Sequence, residues 1–277
     1  MQSRQPHIIA LVLIRVEATK DACLQKLNKK ATMINSSIAR LATTGFVLNC
    51  VLGVVPSALA ADEKPKSAPA PDWRALFQMH YVQRVDNFRE QNQLFKNIVL
   101  VGDSITEGFD VQKFFPGQRV INRGIGADVI GNALKPDDKR GVLKRLNESF
   151  FDVPARDAFL LIGINDLGDS HTPEVMESGY REILEKVKKN APLLKVHVQS
   201  VLPTRGAHAK HNANVLDFNQ RLQKLAKEFG YDYIDLHSQM KDDKGELKAE
   251  FTADGLHLNA DGYKVWKAQI DKTMGWE

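Results

Sequence analysis

Ser104 stands in Val101-Gly102-Asp103-Ser104-Ile105-Thr106-Glu107-Gly108, and far downstream Asp254 and His257 lie three residues apart in Asp254-Gly255-Leu256-His257. These are the residue types of nucleophilic acyl transfer: a hydroxyl, an imidazole to take its proton, and a carboxylate to orient the imidazole. An aspartate and a histidine on one turn can meet and still leave the second ring nitrogen for Ser104. The remaining need is a set of donors for the developing oxyanion. Candidates are the Asn165 side chain, the backbone N–H of Ser104, and the turn at Gly126 and Ala127. Taken alone, Gly-Asp-Ser also suits an ordinary turn in which Asp and Ser bond the local backbone. The elements around these residues decide between the two readings.

Asn97-Ile98-Val99-Leu100-Val101 reads as a buried parallel strand closed by Gly102, which puts Ser104 at the strand's carboxyl end and at the start of a helix. Further strands are expected at 119–122, 157–162, 195–202 and 233–236, and helices at 73–92, 111–115, from about 129, 141–151, 173–189, 214–229 and 260–274. Thr172 and Asn259 are read as N-caps, Pro173 as a first helical residue, and Gly230 as a helix stop. Alternating strands and helices argue a parallel sheet of about five strands with helices on both faces, an α/β protein of three layers. The carboxyl ends of such strands share one edge, so Ser104, Gly124 to Asp128, Gly163 to Asp166 and the Asp254/His257 loop should converge there.

The 277 residues carry a formal net charge of +4. Seven of the 38 Lys/Arg but only two of the 34 Asp/Glu fall in residues 1–60, which leaves the rest at −1 and gives no electrostatic reason to expect nucleic acid. Residues 1–60 read as a leader. Arg40 precedes the apolar stretch Leu41 to Val55, and Ala58-Leu59-Ala60 fits signal-peptidase cleavage before Ala61. Met33 is the expected start of translation, which makes 33–60 the signal peptide and 1–32 an upstream extension of the reading frame. An uncleaved amino-terminal anchor is the alternative, against which the short apolar core argues. The mature chain is expected to be exported, periplasmic or secreted, with no stable membrane insertion after cleavage. Both cysteines, Cys23 and Cys50, lie in the leader, so the mature chain has no thiolate for a nucleophile or a metal. The Pro-rich stretch 61–72 reads as a linker and 73–277 as one domain.

Gly102-Asp103-Ser104, the turn Asn122 to Asp128, Gly163-Ile164-Asn165-Asp166 and Asp254-Gly255-Leu256-His257 resemble, in order, the four sequence blocks of the SGNH (GDSL) hydrolase family. The resemblance covers about residues 97 to 270, and the blocks look closest to bacterial proteins similar to platelet-activating-factor acetylhydrolase subunits. It implies a three-layer α/β/α flavodoxin-like fold, no metal, no cofactor, and hydrolysis of esters or thioesters through an acyl-serine. Carried over, Ser104 is the nucleophile, His257 the base, Asp254 its orienting acid, and Asn165 an oxyanion donor. The family's second-block glycine aligns with Ala127, beside Gly126, and Ala127 can serve if the turn keeps φ negative.

The expected activity is an esterase acting on a short acyl group, acetyl foremost, with a small-molecule, glycan or lipid ester as substrate. A lysophospholipase or thioesterase for longer chains is the alternative within the enzyme class. A non-catalytic envelope protein that binds an acylated glycan is the alternative outside it. His208 and His211 are candidate substrate contacts, and segments 129–141 and 203–211 are expected to line the pocket. His197 reads as structural, Asp128 and Asp166 as braces of their turns, and Tyr263 and Trp266 as core. Oligomeric state has no signature in the chain.

Overall fold

The computed structural model describes residues 72–92 and 98–276, all of them in one unit, Ala68–Glu277. The leader, both cysteines, His7 and the linker up to residue 71 lie outside the described residues. Five strands form the sheet: β1 (Ile98–Gly102), β2 (Val120–Gly124), β3 (Asp157–Leu161), β4 (Lys195–Gln199) and β5 (Asp232–Ile234). All pair in parallel in the order β2-β1-β3-β4-β5. Every residue of β1 and β3 is buried, because layers cover both faces of a parallel sheet.

The helices are α1 (Trp73–Gln91), α2 (Ser104–Glu107), α3 (Val111–Phe114), α4 (Ile164–Gly168), α5 (Pro173–Asn190), α6 (Asn212–Phe229), α7 (Leu236–Met240) and α8 (Ala260–Met274). The step from β1 to β2 runs opposite to the steps β3 to β4 to β5. Right-handed crossovers therefore put α5 and α6 on one face and the α2–α3 segment on the other. On that second face α8 packs Tyr263 and Trp266 on Phe109, at ring distances of 4.8 and 4.9 Å. Helix α1 is capped by the Asp72 carboxylate, which accepts the Ala75 N–H at 3.1 Å. Its residues Tyr81, Val85 and Phe88 close over Ile125 in a small satellite of the main core.

Several elements differ from the sequence reading. No helix starts at Val129. Residues 129–141 form an irregular loop closed at its neck by Val142 N–H to Val129 O and Leu143 N–H to Ile130 O. Gly131 and Gly141 sit back to back there, at φ +106° and +130°, and Pro136 interrupts any helical run between them. The expected helix at 141–151 is instead a 3₁₀ turn, Val142–Lys144, followed by a wider π turn, Asn147–Phe151. Between them Arg145 plunges into the core and takes carbonyl partners that a regular helix would turn away from. The last strand stops at Ile234, because the Asp235 carboxylate accepts the Ser238 N–H and starts α7. Part of the 203–211 loop is a 3₁₀ segment, Gly206–His211, that runs straight into α6. Thr172 precedes α5 without a side-chain cap bond, whereas Asn259 accepts the N–H groups of Asp261 and Gly262.

Candidate active site

In register, Gly102 of β1 pairs with Gly124 of β2 and Leu161 of β3, so the segments leaving these strands begin side by side. Ser104 is the first residue of α2. The Asp103 carboxylate caps the turn by accepting the Ile105 N–H at 2.9 Å, and the Tyr263 hydroxyl from α8 donates to Ile105 O at 2.8 Å.

The acid–base loop folds on itself. One Asp254 oxygen accepts the N–H groups of Leu256 and His257 at 2.9 and 2.8 Å, and the other lies 2.7 Å from His257 Nδ1. Gly255, at φ +85°, lets this loop lie against Arg205: a β-carbon there would sit 2.4 Å from Arg205 O. Burial alone would raise the Asp254 carboxyl, but the His257 ring and these backbone donors outweigh it and hold it well below the ordinary carboxylate range. An ionised Asp254 makes His257 Nδ1 the donor, so Nε2 is left as an acceptor. Nε2 lies 3.0 Å from Ser104 Oγ. The Asp254 and His257 side chains are about half exposed, so this chain of contacts lies open to solvent.

The oxyanion candidates separate. The Gly126 N–H is committed to Glu107 Oε2 at 2.6 Å and so is not a free donor. Ala127 takes a φ of +60°, so the negative φ on which its expected role depends is not met; its N–H nonetheless has no partner among the described residues and stays available as a donor. The turn is reversed here because its two ends are pinned, Gly126 by Glu107 and the Ala127 carbonyl by Arg140 at 2.8 Å. The Asn165 side chain at the start of α4 donates to Asp128 O at 2.9 Å, which uses one amide hydrogen and leaves the other.

Beneath the site lies a buried polar frame. Asp128 accepts the Gly141 N–H at 2.7 Å and two bonds from Arg145, both side chains being fully buried. Arg145 also reaches the carbonyls of Gly102 and Arg123 and the Ser149 hydroxyl. Asp166 accepts the Ile130 N–H through both oxygens and lies 3.5 Å from His171 Nδ1. Burial raises both Asp128 and Asp166 above the usual range. Asp103 is pushed up to about 7 by burial, with Asp128 and Asp166 adding to the effect.

His208 and His211 lie in the 3₁₀ segment that Arg205 ties to Gly255 O at 2.8 Å, but no hydrogen bond joins either ring to Ser104, Asp254 or His257 among the described residues. Burial, then Lys210 and His208, lowers His211. A cavity of about 450 Å³ is lined by Arg74, Phe77, Lys135, Arg140 and His171; the 129–141 loop contributes to it, but neither the 203–211 segment nor Ser104, Asp254 or His257 does. His197 is buried, 3.0 Å from Asp157 and stacked on Phe159. Sequence reasoning passed over Glu107, His80, Arg84, Arg140 and Arg145. The one visible signal was Arg145, a charge inside the apolar stripe of Val142, Leu143, Leu146 and Phe150.

Among the described residues no group of three His, Cys, Asp or Glu could hold a metal ion. The arrangement is suited to activating a hydroxyl, stabilising an oxyanion and leaving the products free to diffuse. A three-layer α/β/α sheet with this constellation at its carboxyl edge is equipped for nucleophilic attack on an acyl group. The profile of the GDSL-like Lipase/Acylhydrolase family matches residues 100–265, and the chain belongs to that family. A Streptococcus pneumonia structure provisionally described as a platelet activating factor superposes with a TM-score of 0.64 at 25% identity, over 73% of this chain and 95% of that one. A GDSL-like lipase of Bacteroides thetaiotaomicron gives a TM-score of 0.59 at 22% identity, over 69% and 97%, and so shares the fold. An N-acylneuraminate cytidylyltransferase of Escherichia coli is 28% identical over 195 residues, 69% of this chain and 43% of that one. The chain thus spans less than half the length of the curated relatives it matches.

Proposed function

We propose that the protein is an exported serine esterase that hydrolyses short acyl esters, acetyl esters foremost, through an acyl-serine intermediate. The observation that carries the mechanism is the unbroken relay from Asp254 to His257 Nδ1 and from His257 Nε2 to Ser104 Oγ, at 2.7 and 3.0 Å. Ser104 Oγ attacks the ester carbonyl carbon as its proton passes to His257 Nε2, and Asp254 stabilises the resulting imidazolium. The carbonyl oxygen, now negative, accepts from the N–H groups of Ser104 and Ala127 and from the free Asn165 amide hydrogen. Collapse breaks the bond to the alcohol oxygen, which leaves with the proton from His257. Water, deprotonated by the same ring, then attacks the acyl-serine, and the carboxylic acid departs as Ser104 recovers its proton.

The preference for a small acyl group rests on exposure. A long chain needs an apolar cleft to gain about 0.8 kcal/mol per buried methylene, whereas the Asp254 and His257 side chains are 53% and 45% exposed. Export rests on the leader pattern ending in Ala58-Leu59-Ala60. No helix among the described residues is long and apolar enough to cross a membrane.

The test is hydrolysis of p-nitrophenyl esters from acetate to palmitate by the wild-type chain and by Ser104→Ala. The expected result is a maximum at acetate and a loss of about 10⁴-fold or more in kcat for the variant. A maximum at long chains would move the assignment to lysophospholipase or thioesterase substrates. Equal inertness of both proteins on every ester, at retained fold, would favour the glycan-binding reading.

A further inference from the structure

Glu107 ends the four-residue helix that Ser104 begins, and a glutamate there could simply extend into water. Instead three groups converge on its carboxylate. The Gly126 N–H donates to Oε2 at 2.6 Å, His80 Nε2 lies 3.0 Å from each oxygen, and Arg84 Nε lies 3.3 Å from Oε1. Arg84 also donates to Gly124 O through Nη2 at 2.9 Å, so one guanidinium holds both the carboxylate and the strand end that leads into the Gly126-Ala127 turn. His80 and Arg84 belong to α1, which lies outside the 100–265 span of the family match. Helix α1 is seated there independently of these polar contacts, by Tyr81, Val85 and Phe88 around Ile125, the residue before Gly126.

We propose that Glu107 is a positioning residue for ester hydrolysis: held by His80 and Arg84 of α1, its carboxylate fixes the Gly126 peptide and thereby aims the neighbouring Ala127 N–H at the oxyanion. The inference rests on the reading of Ser104 as nucleophile given above. The bond to Gly126 is charge-assisted and short, which makes it a stiff tether. The tether is needed because Ala127, one residue on, holds a backbone conformation that L-residues avoid and would otherwise relax. A donor that is aimed at the tetrahedral oxygen acts on the transition state more than on the bound ester, so a loose tether should lower kcat and leave KM in place.

The experiment measures kcat and KM on p-nitrophenyl acetate, inhibition by a phenylboronic acid that forms a tetrahedral adduct, and thermal unfolding. The variants are Glu107→Ala, Glu107→Gln and Arg89→Ala. Arg89 anchors the far end of α1 to Glu148 at 2.6 Å and touches none of the groups around Glu107. Glu107→Ala should lose about 10- to 100-fold in kcat with KM within about twofold, and boronate affinity should fall by the same factor as kcat/KM. Glu107→Gln keeps an acceptor for the Gly126 N–H and should stay within about fivefold of wild type. Arg89→Ala should unfold at a lower temperature with kcat unchanged. Full kcat in a folded Glu107→Ala overturns the proposal, and so does a fall in kcat shared equally by Arg89→Ala. If Glu107→Ala does not fold, His80→Ala decides: a kcat reduced threefold or more at constant KM supports the proposal, and an unchanged kcat overturns it. Undiminished activity in Ser104→Ala would instead sink the reading of the reaction itself, and that measurement is independent of every Glu107 variant.

Discussion

Ala127 pays for its place in the site with its backbone. A β-carbon at φ +60° crowds the following carbonyl, at roughly 1–2 kcal/mol for an L-residue, while a glycine is relieved of that strain and loses roughly 0.5–1 kcal/mol in chain entropy. Ala127→Gly is therefore expected to leave stability unchanged or raise it by up to about 1.5 kcal/mol, with kcat held, because the proposed donor is the peptide N–H and Gly126 remains tied to Glu107. Urea unfolding beside steady-state kinetics checks both halves. A marked loss of kcat would mean that the methyl group itself helps to hold the turn.

At the scale of elements, the close approach of α2 to β2 decides whether Ser104 and the Gly126-Ala127 turn meet. A β-carbon on Gly124 would lie 2.1 Å from the Glu107 backbone nitrogen, so Gly124→Ala must push α2 off the strand. The expected cost is about 1–3 kcal/mol or more, with esterase activity falling further than stability because Ser104 moves with α2. Denaturation midpoints and kcat measured on one preparation test this. The sequence revealed the strands and long helices because their patterns are local: β1 and β3 are unbroken apolar runs, and α8 carries its own Asn259 cap. It also revealed the four segments that meet, since strand ends share an edge. It did not reveal the 129–151 region, where Arg145 overrides helical periodicity by bonding Asp128 and carbonyls from β1 and β2. Nor did it reveal Glu107 with His80 and Arg84, whose meaning depends on α1 docking beside a turn some 40 residues away. The sign of φ at Ala127 was illegible for the same reason: tethers from distant residues set it.

For the molecule as a whole, the buried frame under the site links stability to pH. The Asp103 carboxyl is pushed up to about 7 in the fold from 3.8, chiefly by burial, and its Oδ2 has no hydrogen-bond partner among the described residues. The folded chain thus keeps a proton that the unfolded chain has already lost between these values. Stability from this group is full below about pH 4 and is lost as pH rises through about 7. Asp103→Asn keeps an oxygen for the Ile105 N–H and removes the titration. Between pH 5 and 8 the wild type should lose on the order of 2–3 kcal/mol relative to this variant, read from denaturant midpoints at the two pH values. Parallel slopes for the two proteins would contradict the assignment.

The Ser104 hydroxyl and the His257 ring are joined across 153 residues of chain, and α8, just beyond His257, supplies the Tyr263 hydroxyl that donates to the Ile105 carbonyl in the turn of Ser104. During synthesis all five strands leave the ribosome before either residue of the acid–base pair does. Until they do, Ser104 has no imidazole beside it. On the reading of Ser104 as nucleophile, the relay is therefore the last part of the site to form: it waits for a segment that follows every strand of the sheet in the chain.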